Sequence, residues 1–141
     1  MSHLTRSLAA AGLAIGGLLH ALLYVDAGYD AVPQAVVRLG FPAQAVASVV
    51  VAIALLVDTS RRSALAAVVV SAGSLVAFGA SRTVGLMGFS ESGFAPSPET
   101  PMLLAAEAIA LAAAMVLAFA PASRIARSEQ VRASVGAALA T

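Results

Sequence analysis

Four apolar runs, at residues 7–25, 42–57, 63–80 and 101–120, constrain this chain more than any other feature of its sequence. At about 1.5 Å per residue in a helix, runs of this length reach roughly 24–30 Å, close to a hydrocarbon core of about 30 Å. Lipid offers backbone amides no partners, so such runs must satisfy their own hydrogen bonds as helices. Composition agrees, with 60% hydrophobic and only 11% charged residues, against about a quarter charged in ordinary soluble domains. The expected fold class is all-α, a four-transmembrane-helix bundle forming one membrane domain over residues 1–141.

Local signals divide the runs. Pro42 is expected in the first turn of the second helix, and Asp58-Thr59-Ser60 as a stop and restart before the third. Thr100 followed by Pro101 reads as an N-cap and first position of the fourth. Residues 32–39 form an amphipathic candidate for the interface. Residues 83–100, rich in Gly, Pro and Ser, are expected to be mostly irregular, with Phe89 and Phe94 at the headgroups. The tail at 121–141 reads as a cytoplasmic amphipathic helix from Ser123 that frays after Ala137. A cleaved signal peptide is the competing reading of the first run, with Arg6 as its positive region. That run exceeds the usual apolar region of about 7–15 residues, which favours a retained span.

The arginines set an orientation. Arg6, Arg61, Arg62, Arg124, Arg127 and Arg132 fall on one side of the four spans. Arg38 and Arg82 fall on the other, together with Asp26, Asp30, Glu91 and Glu99. The positive-inside rule then places both termini and the turn at 58–62 in the cytoplasm.

Several absences exclude chemistry. The chain has no Cys, which removes thiol exchange, iron–sulfur clusters and thiolate metal sites. It also has no Lys, so neither a Schiff base nor a Lys-terminated phosphate loop is available. A net charge of +1 gives no basis for binding nucleic acid.

Ionisable side chains inside spans are costly and are therefore functional candidates. His20 and Glu107 lie within spans, and with this orientation both fall roughly 7–9 Å below the outer boundary. Tyr24 follows His20 by one turn, Gln44 and Ser48 share the outer half of the second span, and Ser74, Ser81 and Arg82 recur along the third. The expected ligand- or proton-binding candidates are His20, Tyr24, Ser74, Arg82 and Glu107, around an outward-facing polar pocket between helices one, three and four. Gly12, Gly16 and His20 form a row at spacing four that suits close helix packing.

Each candidate has a structural alternative. Glu107 is either a buried ion-pair partner of Arg82 or a carboxylate that binds a proton or a ligand. His20 is held by a backbone carbonyl or by Ser74, or it shares a proton with Glu107. One span histidine with scattered carboxylates at no recognised spacing does not make a metal site. No cofactor is expected. Ser90, Glu91 and Ser92 lack a nearby histidine base, so no catalytic residue and no enzyme activity are expected.

The stretch Arg82-Thr83-Val84-Gly85-Leu86-Met87-Gly88, followed by Glu107 in the last span, resembles uncharacterised small bacterial four-helix integral membrane proteins. These share an Arg-x-x-Gly-x-x-Gly loop start and a Glu in their final helix. The resemblance covers helices three and four and implies a multi-pass protein of the bacterial cytoplasmic (inner) membrane, with no activity attached. Two functions compete. One is an accessory or structural subunit, partnered in the lipid bilayer by a larger membrane complex or by further copies of itself. The other is an oligomeric ligand-binding or proton-coupled small-molecule transport protein using Glu107 and His20.

Overall fold

The computed structural model describes residues 2–120, so the tail expected at 121–141 lies outside the described residues. Four helices build it: α1 (Ser2–Asp26), α2 (Ala35–Val57), α3 (Arg61–Thr83) and α4 (Glu99–Phe119). A single 3-10 turn, Tyr29–Ala31, lies between α1 and α2. All four helices are long and apolar enough to cross a membrane.

The helices form a ring in which α1 packs against α2 and α4, while α3 closes against α4 and, less closely, against α2. Glycine makes the tight seams of α1 possible. A β-carbon at Gly12 would stand 2.8 Å from the Ala106 carbonyl oxygen, and one at Gly17 would stand 3.0 Å from that of Ala45. Neither backbone can yield to a methyl group, so both helices approach α1 only because these positions lack side chains. The row expected from the sequence thus serves α4 through Gly12 and Gly16, while Gly17 serves α2.

Two helix starts differ from the sequence reading. α2 begins at Ala35, seven residues before Pro42, and runs through that proline. Pro42 deprives the Arg38 carbonyl of its amide partner. Burial of Val37 against Leu19, Leu23, Tyr29 and Leu103, with Val36 and Phe41 beside it, offsets that loss. Residues 35–39 are therefore the opening turn of α2 and do not form a separate interfacial segment. α4 begins at Glu99, so Pro101 occupies its third position, where no intrahelical amide partner is required.

The end with the short turn is tied by arginines. Arg6 of α1 donates to the carbonyls of Leu55 (3.1 Å), Asp58 (2.7 Å) and Thr59 (3.1 Å), capping the C-terminus of α2 with a cation. The Asp58 carboxylate accepts from the Ser60 amide and hydroxyl, which hold it below the usual carboxylate range. Arg61 lies over the Phe119 ring at 5.5 Å and links the start of α3 to the end of α4. This half of the bundle is filled by Ala9, Leu13, Leu55, Ala67, Ala110 and Ala114.

Candidate functional site

The opposite end carries the two long loops and a cavity of about 310 Å³. His20 of α1 and Gln44 of α2 line it, together with Ser74 and Arg82 of α3, Glu91 of the α3–α4 loop and Leu103 of α4. It lies between α2 and α3 more than between helices one, three and four. The early start of α2 explains the shift, because Val36, Val37, Gly40 and Phe41 wall the cavity. Those residues also make the lining predominantly apolar, with polar groups confined to one rim and one floor.

The rim is a closed network. Arg82 meets Glu91 at 2.6 Å, donates to Ser81 (2.7 Å) and reaches the carbonyls of Gly93 (3.2 Å) and Ala95 (3.0 Å). Its guanidinium also stacks over Phe78, 4.3 Å from the ring centre. The other oxygen of Glu91 accepts from the Tyr29 hydroxyl at 2.6 Å. Burial, reinforced by the Glu91 carboxylate, raises the Tyr29 hydroxyl above its ordinary pKa, so it stays a donor. Gln34 donates to the Gly88 carbonyl at 3.1 Å and ties the two loops together. Within the loop, Leu86 and Phe89 pair their backbones across Met87 (φ 49°) and Gly88 (φ 86°). Two successive positive φ angles are the mark of a type I′ turn.

Arg82 is therefore not the partner of Glu107. The guanidinium sits at the end of α3, where the loop carbonyls and Glu91 satisfy it locally. Glu107 lies eight residues into α4, about 12 Å along the axis from the first residue of the helix.

The floor is built differently. Glu107 is fully buried, and neither of its carboxyl oxygens has a hydrogen-bond partner among the described residues. His20 Nδ1 stands 4.0 Å from its Oε1, outside hydrogen-bond range. Gln44, Ser71 and Ser74 are the polar side chains around it, without bonds of good geometry. Gly16 makes room for the carboxyl: a β-carbon there would lie 2.9 Å from Oε1. His20 itself is held at Nδ1, 2.9 Å from the Gly16 carbonyl, and faces the Ser74 hydroxyl across 3.4 Å at Nε2.

The structure thus brings His20 and Ser74 together at the floor, with Glu107 buried behind them, and keeps Arg82 at the rim. Tyr24 joins neither. Four residues overshoot a full helical turn by about 40°, and Tyr24 packs on the Leu19–Leu23–Tyr29 cluster without lining the cavity. Phe89 also turns inward, against Tyr29 at 6.1 Å, whereas Phe94 stays exposed and stacks on Phe78. Sequence reasoning missed Tyr29 and the structural role of Glu91. The one available signal was that Arg82 needed a nearby carboxylate and Glu91 was the closest in sequence.

Among the described residues, no group of three or more His, Asp or Glu side chains is arranged to hold a metal ion. Comparison with protein-family models, with curated proteins and with solved structures finds no match.

Proposed function

We propose that this chain is a small bacterial inner-membrane protein, with both termini cytoplasmic, whose outward-facing cavity binds a small molecule with an apolar body and a hydrogen-bonding head. The observation that carries this reading is Glu107. A fully buried carboxyl group whose two oxygens have no hydrogen-bond partner among the described residues is costly to keep, and native proteins rarely keep such groups without a use. It stands directly behind His20, Gln44 and Ser74, which line the cavity. The arginine bias supports the orientation.

Proton-coupled transport fits less well. Such transport needs a polar path from both faces, and the half of the bundle beyond Glu107 is packed with Ala9, Leu13, Leu55, Ala67 and Ala110. Binding without passage is the reading we favour. A titration with 1-naphthol, a fluorescent phenol, on the protein in lipid nanodiscs tests it. Saturable binding to wild type, weakened about tenfold by His20→Leu, is expected. Equal affinity for both proteins sinks the idea.

The accessory-subunit reading has one observation of its own. Half of the spanning window of α1 is buried within the chain, but only 17% of that of α2 and 22% of that of α3. Those two helices offer wide faces to lipid, to a larger complex or to another copy. Native co-purification in mild detergent separates these cases, and a solitary, ligand-binding monomer would count against a subunit role.

A further inference from the structure

Three small residues show where the cavity is open. Among the residues lining it, Gly40 of α2 and Gly73 and Ala77 of α3 are exposed, while every other lining residue is buried or half-buried. A β-carbon added at Gly40 or Gly73 would meet no atom within 4 Å. Ala77 and Gly73 lie six and ten residues before the end of α3 at Thr83, about 9 and 15 Å along the axis. The opening is therefore in the side of the bundle, at a depth that belongs to the hydrocarbon, between α2 and α3, which pack less closely than the other neighbouring pairs of the ring. The loop end is covered instead. Leu86 and Phe89 lie over it, and the Arg82–Glu91–Tyr29 network ties the loop down.

The floor selects the head group. A backbone carbonyl can only accept, so His20 Nδ1, 2.9 Å from the Gly16 oxygen, carries the ring hydrogen and Nε2 presents a lone pair to the cavity. Ser74 approaches that nitrogen only at 3.4 Å, a long bond that a better donor can replace. Gln44 donates one of its two amide hydrogens to the Val70 carbonyl at 3.1 Å, and its side-chain oxygen is a further acceptor. The acceptor lone pair of His20 Nε2, met only by the long Ser74 contact, suits a donor, and a predominantly apolar wall suits a neutral one. A cavity of about 310 Å³ is at the small end of ligand sites, room for one or two rings.

We propose that the ligand is a neutral, lipid-soluble alcohol or phenol that enters sideways from the bilayer through the gap between α2 and α3. This rests on the ligand-binding reading above and adds the route and the chemical class.

The test uses the full chain in nanodiscs with a diazirine-bearing photoactivatable phenol and its hydroxyl-free counterpart, the labelled residues being mapped by mass spectrometry. In wild type, cavity labelling by the phenol is expected to exceed that by the counterpart about tenfold. Gly73→Trp and Gly40→Trp set an indole in the gap from positions where a β-carbon meets nothing, and each should cut cavity labelling about tenfold. Gly79→Trp is the control, because Gly79 is also exposed on α3 with open space around it but does not line the cavity. It should label within about twofold of wild type, as should Gln34→Ala, which unties the two loops without removing a cavity-lining side chain.

Wild-type labelling in both gap variants, or a rise on loosening the loop, places the entrance at the aqueous end and overturns the lateral route. Loss of labelling in Gly79→Trp as well would mean that the α3 face is simply crowded or covered by a second copy, which also overturns it. Equal labelling by the two probes removes the alcohol or phenol assignment. A wild-type cavity that labels with neither probe defeats the binding reading itself, a result distinct from the others.

Discussion

Glu91 and Glu107 are carboxylates near the same end of the bundle, yet their surroundings are opposite. Glu91, at the rim, spends both oxygens, one on Arg82 and one on Tyr29, each at 2.6 Å. Glu107, behind the floor, is fully buried and spends neither on any of the described residues. A satisfied carboxylate holds structure together, because removing a partner strands the groups that remain. An unsatisfied buried carboxylate costs stability, and relieving it should leave the fold intact while function suffers. The comparison separates a rim that fastens the loops from a buried carboxyl group that no partner among the described residues fastens.

The largest effect should come from attacking the rim. Arg82→Ala strands Glu91, frees the loop carbonyls of Gly93 and Ala95 and removes the stack on Phe78. A loss of about 2 kcal/mol in unfolding free energy is expected, discounted because the pair is partly solvent-screened. Thermal unfolding in nanodiscs would show it, and an unchanged midpoint would remove the rim from its structural role.

A smaller loss, about 1 kcal/mol, should follow Tyr29→Phe, which deletes one hydrogen bond and keeps the stack on Phe41. This position also has a pH signature. The folded-state pKa of Tyr29 is raised, so its contribution is complete below the ordinary tyrosine value of about 10 and fades as the pH climbs beyond it. Unfolding midpoints measured across that alkaline range should fall for wild type and flatten for Tyr29→Phe.

The smallest effect on stability belongs to Glu107→Gln. The substitution keeps the shape and replaces the carboxyl group with an amide, so the change should stay within about 1 kcal/mol and can be favourable. A loss as large as that of Arg82→Ala would show that Glu107 is held by partners after all and would collapse the contrast between the two sites.

What the sequence made legible follows from depth. The ends of the apolar runs fix how far each span residue lies from the boundary, which is why His20 and Glu107 are recognisable as neighbours although 87 positions separate them. The partner of Arg82 was not legible, because it depends on how residues 84–98 turn. Gly85, Gly88 and Gly93 each adopt positive φ there and fold the loop back over its own arginine. The walls of the cavity were not legible either. Pro42 is a strong local signal for a helix start, and only tertiary burial of Val37 with Val36 and Phe41 beside it overrides that signal. Tyr24 shows the limit of spacing rules, since a residue one turn from a site residue need not share its contacts.

The most direct test of the central claim is a 1-naphthol titration of Glu107→Gln beside Glu91→Gln in nanodiscs. The account predicts that Glu107→Gln weakens binding about tenfold, while Glu91→Gln stays within about twofold of wild type. The reverse pattern, or two variants that bind alike, would contradict it.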